Sequence, residues 1–149
     1  MKKNKGFTLI ELMVVIAIIG ILATVVLVSI GNSRDTGANA NVKSNLTNML
    51  SSAEMIFINT GNYTDVCTLN TAQPISVRID KMIKSANKNA KSAVVCNADS
   101  TNKVFGASVE LKVTDNGKKY WCIDSTGFNE ATDTPIVKGT TNTYVCTAS

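Results

Sequence analysis

From Leu12 to Ser33 the chain runs for 22 residues without a charged side chain, and no other feature constrains its fold as much. Val14, Val15, Ile16, Ile18, Ile19, Ile21 and Leu22 crowd the first half of that run. At about 1.5 Å of rise per residue, a helix of this length exceeds the roughly 30 Å hydrocarbon thickness of a bilayer. A buried soluble-core helix is the bland alternative, but such helices rarely stay apolar on every side for this many turns. Leu12, Ile16, Ile19, Leu22, Val26 and Ile30 are therefore expected inside a membrane. Lys2, Lys3 and Lys5 precede the run, so the positive-inside rule keeps the start in the cytoplasm and exports everything after residue 34.

The 149 residues suffice for one domain of ordinary size plus an appendage. Histidine is absent, which removes His-based acid–base chemistry, Ser–His and Cys–His pairs, and His-ligated metals. The formal charge of +4 is mostly the three leading lysines; beyond them 12 Lys and Arg face 11 Asp and Glu. Gripping phosphates requires clustered cations. Only Lys81, Lys84, Lys88 and Lys91 approach that, and they read as a solvated helix face. Charge alone leaves nucleic-acid binding unassigned. No nucleophile–base pairing or phosphate-binding glycine loop stands out, so neither an enzyme nor a resident cofactor is expected.

A cleavable secretory signal is a rival for the N-terminus, since Ala38-Asn39-Ala40 has a small-residue cleavage pattern. Against it, the apolar region is longer than the usual 7–15 residues or so, and Glu11 stands at its head. An ionised carboxylate there is expensive, about 2.5–3.5 kcal/mol at a membrane centre and less near an interface. It either reaches back to the headgroups or awaits a cationic partner within an apolar assembly, where such a pair attracts strongly.

The segment Lys5-Gly6-Phe7-Thr8-Leu9-Ile10-Glu11-Leu12-Met13-Val14-Val15-Ile16-Ala17-Ile18-Ile19-Gly20-Ile21-Leu22-Ala23 closely resembles the N-terminal signature of type IV prepilins and pseudopilins. The resemblance implies a leader of residues 1–6, cut between Gly6 and Phe7 by a prepilin peptidase that also methylates the new Phe7 amine. It implies a membrane and assembly helix over 7–33 and an exported α+β head over 34–149. Glu11 becomes the assembly residue, neutralising the amine of a neighbouring copy at a helix N-terminus whose dipole adds positive character. An assembly platform and an ATPase are the further implied partners, with an inner-membrane precursor and then an extracellular pilus or periplasmic pseudopilus. The helix lacks the proline that many members carry; Gly20 and Gly31 are its weak points, each costing about 1 kcal/mol against Ala.

Past the apolar run, Ala38, Val42, Leu46, Met49, Ala53 and Ile56 continue at helical spacing, widened by Leu50 and Phe57. One helix from Phe7 to about Asn59 is expected, closed by the turn residues Gly61-Asn62. Ser76 to Lys88 reads as a second helix. Val94-Val95-Cys96 reads as a strand, and Phe105, Ala107, Val109 and Leu111 alternate with Gly106, Ser108, Glu110 and Lys112 as a half-buried one. Asp115-Asn116-Gly117 turns the chain into Lys119 to Ile123 as a hairpin, and a last strand is expected at Thr143 to Cys146. Adjacent Tyr120 and Trp121 should face opposite sides, one of them partly exposed. The fold expected is α+β, a small antiparallel sheet laid on the exported half of a long helix.

Cys67, Cys96, Cys122 and Cys146 all fall in the exported part, where an even number argues for disulfides. Three connectivities are open; pairing between chain neighbours, Cys67–Cys96 and Cys122–Cys146, is favoured, and the resemblance agrees, since many pilins close a C-terminal loop this way. Unpaired structural cysteines are the alternative. Asn45-Leu46-Thr47 and Asn62-Tyr63-Thr64 match the glycosylation sequon at a level that abundant Asn and Thr produce by chance. Asp124, Glu130 and Asp133 surround a loop where Ca²⁺ could sit, but they lack EF-hand spacing, and no metal site is assigned. A filament subunit (adhesion, motility or DNA uptake) is thus expected. A pseudopilin of a type II secretion system, a single-pass anchored binding domain and a domain released at Ala40 are the alternatives.

Overall fold

The computed structural model describes residues 6–68, 74–99, 101, 103–136 and 144–147, with the side chains of residues 28 and 29 left aside. Its elements are α1 (Leu9–Thr60), α2 (Thr64–Cys67), α3 (Pro74–Asn89), β1 (Val95–Ala98), β2 (Phe105–Asp115), β3 (Lys118–Asp124) and β4 (Asn129–Thr132). The chain divides into two units, Met1–Arg34 and Asp35–Ser149. The first is the apolar start of α1, helical through Gly20 and Gly31 without a break. The second has the α+β class expected from the sequence, a four-stranded antiparallel meander in the order β1-β2-β3-β4 with helices packed on it.

Helical spacing carries over directly into burial. Val42, Leu46, Met49, Ala53 and Ile56 of α1 all lie in the core, against Phe105, Ala107, Val109 and Leu111 of β2 and Ile79 and Ala86 of α3. Asn116 and Gly117 make the β2–β3 turn with φ of 51° and 84°, the pair of positive values that a two-residue hairpin turn matched to strand twist requires. Tyr120 and Trp121 are both half-buried. Lys43 lies 4.8 Å from the Trp121 ring centroid and 2.6 Å from an Asp115 oxygen.

Three expectations need correction. Gly106 and Ser108 are buried rather than solvent-facing, because the C-terminal segment covers that side of β2. Ile136 donates its N–H to Ser108 Oγ at 2.8 Å, and a Cβ on Gly106 would meet the Tyr144 carbonyl and lie 2.8 Å from Ile136 Cδ1. Gly106→Ala should accordingly cost about 1–3 kcal/mol through overpacking, read as a lower melting temperature of the full chain in detergent. Second, Thr143 lies outside the described residues, and 144–147 are not a strand. Their backbone bonds to side chains instead of a ladder: Cys146 N–H to Asp124 Oδ2 at 2.6 Å, and Thr147 C=O to Thr132 Oγ1 at 2.9 Å. Third, the polar loop after β3 contains β4, paired with β3 from Tyr120↔Thr132 to Ile123↔Asn129.

Two disulfides tie the head. Cys67–Cys96 joins α2 to β1 across a Cα–Cα distance of 5.4 Å, and Cys122–Cys146 joins β3 to the C-terminal segment across 6.0 Å. Beside the end of α1, Tyr63 stacks on Phe57 at 4.7 Å and donates its hydroxyl to Glu54 at 3.0 Å. Burial, and then the Glu54 carboxylate, pushes its pKa up to about 12. The folded value lies above the unfolded one, so this contribution is intact below about pH 10 and lost as pH rises through about 12. A spectrophotometric titration should show a late tyrosinate phase near pH 12 that Tyr63→Phe abolishes.

Candidate functional site

Around the start of α1 stand Phe7 and Glu11, the residues that the sequence singles out for processing and assembly. Thr8 stands one residue before the helix and Glu11 three residues after Thr8. Their side chains form a reciprocal capping box: Thr8 N–H and Oγ1–H donate to Glu11 Oε2 at 2.8 and 2.7 Å, and Glu11 N–H reaches Thr8 Oγ1 at 3.4 Å. Two donors that a helix start leaves unpaired are thereby satisfied. The Thr-x-x-Glu spacing is the sequence signal for this box. Glu11 therefore has a local role in the single chain, with Oε2 engaged and the carboxylate exposed at the helix head.

Around and beyond it lies an apolar surface that stays exposed among the described residues. Phe7 is 78% exposed, and the expected membrane residues Leu12, Ile16, Ile19, Leu22, Val26 and Ile30 range from 49% to 61%. A soluble monomer rarely shows a contiguous apolar patch beyond a few hundred Å², so this helix requires lipid or other apolar helices around it. By length and composition α1 can cross a membrane, its best window having a mean hydropathy of 3.0. Thr24, a polar residue inside the run, donates its hydroxyl to the Ile21 carbonyl at 2.7 Å, so it exposes no unpaired donor to an apolar surround. A Cβ on Gly6 would meet no atom of the described residues within 4 Å.

Asn39, in the Ala38-Asn39-Ala40 stretch, is buried and clamps β2. Its Nδ2 donates to the Val113 carbonyl at 2.6 Å, and its Oδ1 accepts the Lys112 N–H at 3.0 Å. A cut after Ala40 would remove that clamp from the head. Asp124 is fully buried, with both oxygens engaged: Oδ1 accepts from Thr126 N–H, Thr126 Oγ1 and Phe128 N–H, and Oδ2 from Cys146 N–H. It organises the β3–β4 turn rather than offering a ligand. Among the described residues no group of three or more His, Cys, Asp or Glu is placed to hold a metal ion. Asn39 carries no local sequence signal for its burial, since both backbone groups it holds come from β2. Asp124 sits in a local Asp-Ser-Thr-Gly turn pattern, and only its Cys146 partner is distant.

Residues 1–27 match the family model described as the prokaryotic N-terminal methylation motif. No curated protein and no solved structure matches the chain. The motif and the apolar helix together fit a membrane-anchored precursor with an N-terminus made for processing.

Proposed function

Residues 1–27 carry the class III signal of type IV pilins and pseudopilins, and from that premise we propose that the chain is the precursor of a structural filament subunit. A prepilin peptidase cuts between Gly6 and Phe7 and methylates the Phe7 amine. The freed helix then leaves the inner membrane, with the platform and ATPase of a pilus machine, and packs against its copies in a type IV pilus-like filament. The observation that carries this is the bare apolar surface from Phe7 to Ile30 with a carboxylate at its head. Lipid covers that surface in the precursor and neighbouring helices cover it in the filament. Two disulfides in the head accord with an oxidising compartment beyond the membrane.

Filaments sheared from cells and sequenced from their N-terminus provide the test. Methylated Phe7 as the first residue supports processing and assembly together. A start near Asn41 means secretion instead, and an unprocessed chain that never enters a sheared fraction means an anchored domain. Gly6→Ala should accumulate precursor that retains its leader, visible as a mass larger by residues 1–6. The head should melt as in the parent protein, because the added methyl meets open space.

A further inference from the structure

The outer side of α3 is almost wholly cationic. Between residues 78 and 91 the exposed side chains are Arg78, Lys81, Lys84, Asn87, Lys88 and Lys91; five of these six carry positive charge. The helix places its apolar residues inward, with Ile79 and Ala86 in the core and Met82 and Ile83 packed against it. Asp80 is the one acid from residue 74 to 91. Its partner Lys84 remains 73% exposed, and Lys91, paired with Glu110, remains 62% exposed, so both heads stay within reach of solvent anions. Arg78, Lys81 and Lys88 have no ion-pair partner among the described residues.

Charge is segregated as well as clustered. Residues 74–91 hold five Lys and Arg against one acid, whereas the rest of the chain from Phe7 onward holds seven against ten. The near-neutral total conceals a basic stripe on an otherwise acidic molecule. We infer that the α3 face is a binding surface for the phosphate backbone of duplex DNA, read without regard to base sequence. From Arg78 to Lys88 the helix extends about 15 Å, a length over which a duplex presents roughly nine phosphate charges.

The chemistry around the stripe selects this partner. A lipid surface is gripped by a basic helix that also inserts an apolar face, and the apolar face of α3 is committed to the head core. Single strands are held by exposed aromatic platforms beside the cations; α3 itself carries no aromatic residue, and Tyr120, which lies near Lys91, is half-buried. What remains is a row of flexible cations, suited to phosphates alone.

The test uses the full chain in zwitterionic detergent and a short fluorescent DNA duplex followed by anisotropy. Affinity should fall about 100-fold between 50 and 200 mM salt if roughly four phosphates are contacted. The double reversal Lys81→Glu/Lys88→Glu should lose at least about tenfold at fixed salt. Lys112→Glu/Lys119→Glu, an equal charge change carried on β2 and β3 instead of α3, should stay much closer to the parent. Melting temperatures of both pairs verify that the head is folded. Equal losses from the two pairs, or binding insensitive to salt, would overturn the inference. So would tighter binding to anionic phospholipid vesicles or to heparin than to the duplex. Binding is measured on unassembled chains, so its failure is separate from failure of the filament reading.

Discussion

On the filament reading proposed above, cells expressing Glu11→Val should still cut the precursor before Phe7, while sheared filaments should all but disappear. Valine would remove the one acid before Asp35 and, on that reading, leave the cationic Phe7 amine of the next copy unpaired. Stranding one partner of an ion pair in an apolar surround costs about 3–5 kcal/mol, and each 1.4 kcal/mol or so is a factor of ten. The concentration needed for polymerisation should therefore rise by roughly 100-fold or more. The capping box supplies an internal control, because Glu11 also satisfies the Thr8 N–H. Thr8→Ala removes the cap, about 1 kcal/mol of local helix stability, yet keeps the carboxylate. If Thr8→Ala abolishes filaments as fully as Glu11→Val, the helix cap accounts for the effect and docking by Glu11 does not. Normal filament yield from Glu11→Val would remove the docking mechanism altogether.

Asp124→Ala is expected to damage the head more than any other single change considered. The side chain is fully buried and accepts from three backbone N–H groups and one hydroxyl, the complement an acceptor-only carboxylate needs. Alanine leaves those donors without water or partner, each costing about 1–3 kcal/mol when buried. A net loss of about 3–5 kcal/mol is expected, a large part of a domain's usual 5–15 kcal/mol or so. Near-UV circular dichroism against temperature, on the full chain in detergent, should show the fall. Asp124→Asn should land between, because its Oδ1 can still accept the Thr126 and Phe128 groups while an amide NH₂ would oppose the Cys146 N–H.

These two residues also show where sequence reading succeeds and where it stops. Glu11 was conspicuous because a charge in an apolar run violates a local rule. The α1 stripe from Val42 to Ile56 was legible because helical spacing translates one-to-one into burial. The hairpin was legible because Asn116-Gly117 admits few turns besides the one it makes. By contrast, β4 lies in Asn129–Thr132, a short polar stretch with no alternation, and forms because Asp124 folds the preceding turn back on β3. Gly106 reads as one more outward position of a strand until Tyr144 and Ile136 arrive from a segment some thirty residues later. Asn39 looked like part of a cleavage pattern because its partners, Lys112 and Val113, lie 73 and 74 residues away. Local periodicity reports which side of an element is apolar. It is silent about side chains whose role is to hold distant backbone.

The placement of the two bridges has a mechanical consequence for a fibre under tension. They span 29 and 24 residue steps, removing about 100 and 80 Å of contour from what traction can pay out at roughly 3.4 Å per step. A head tugged by an attached load would yield first in the unbridged stretch between Cys96 and Cys122, where β2 and most of β3 lie. Extension would halt at two covalent stops and not run on to the chain's end.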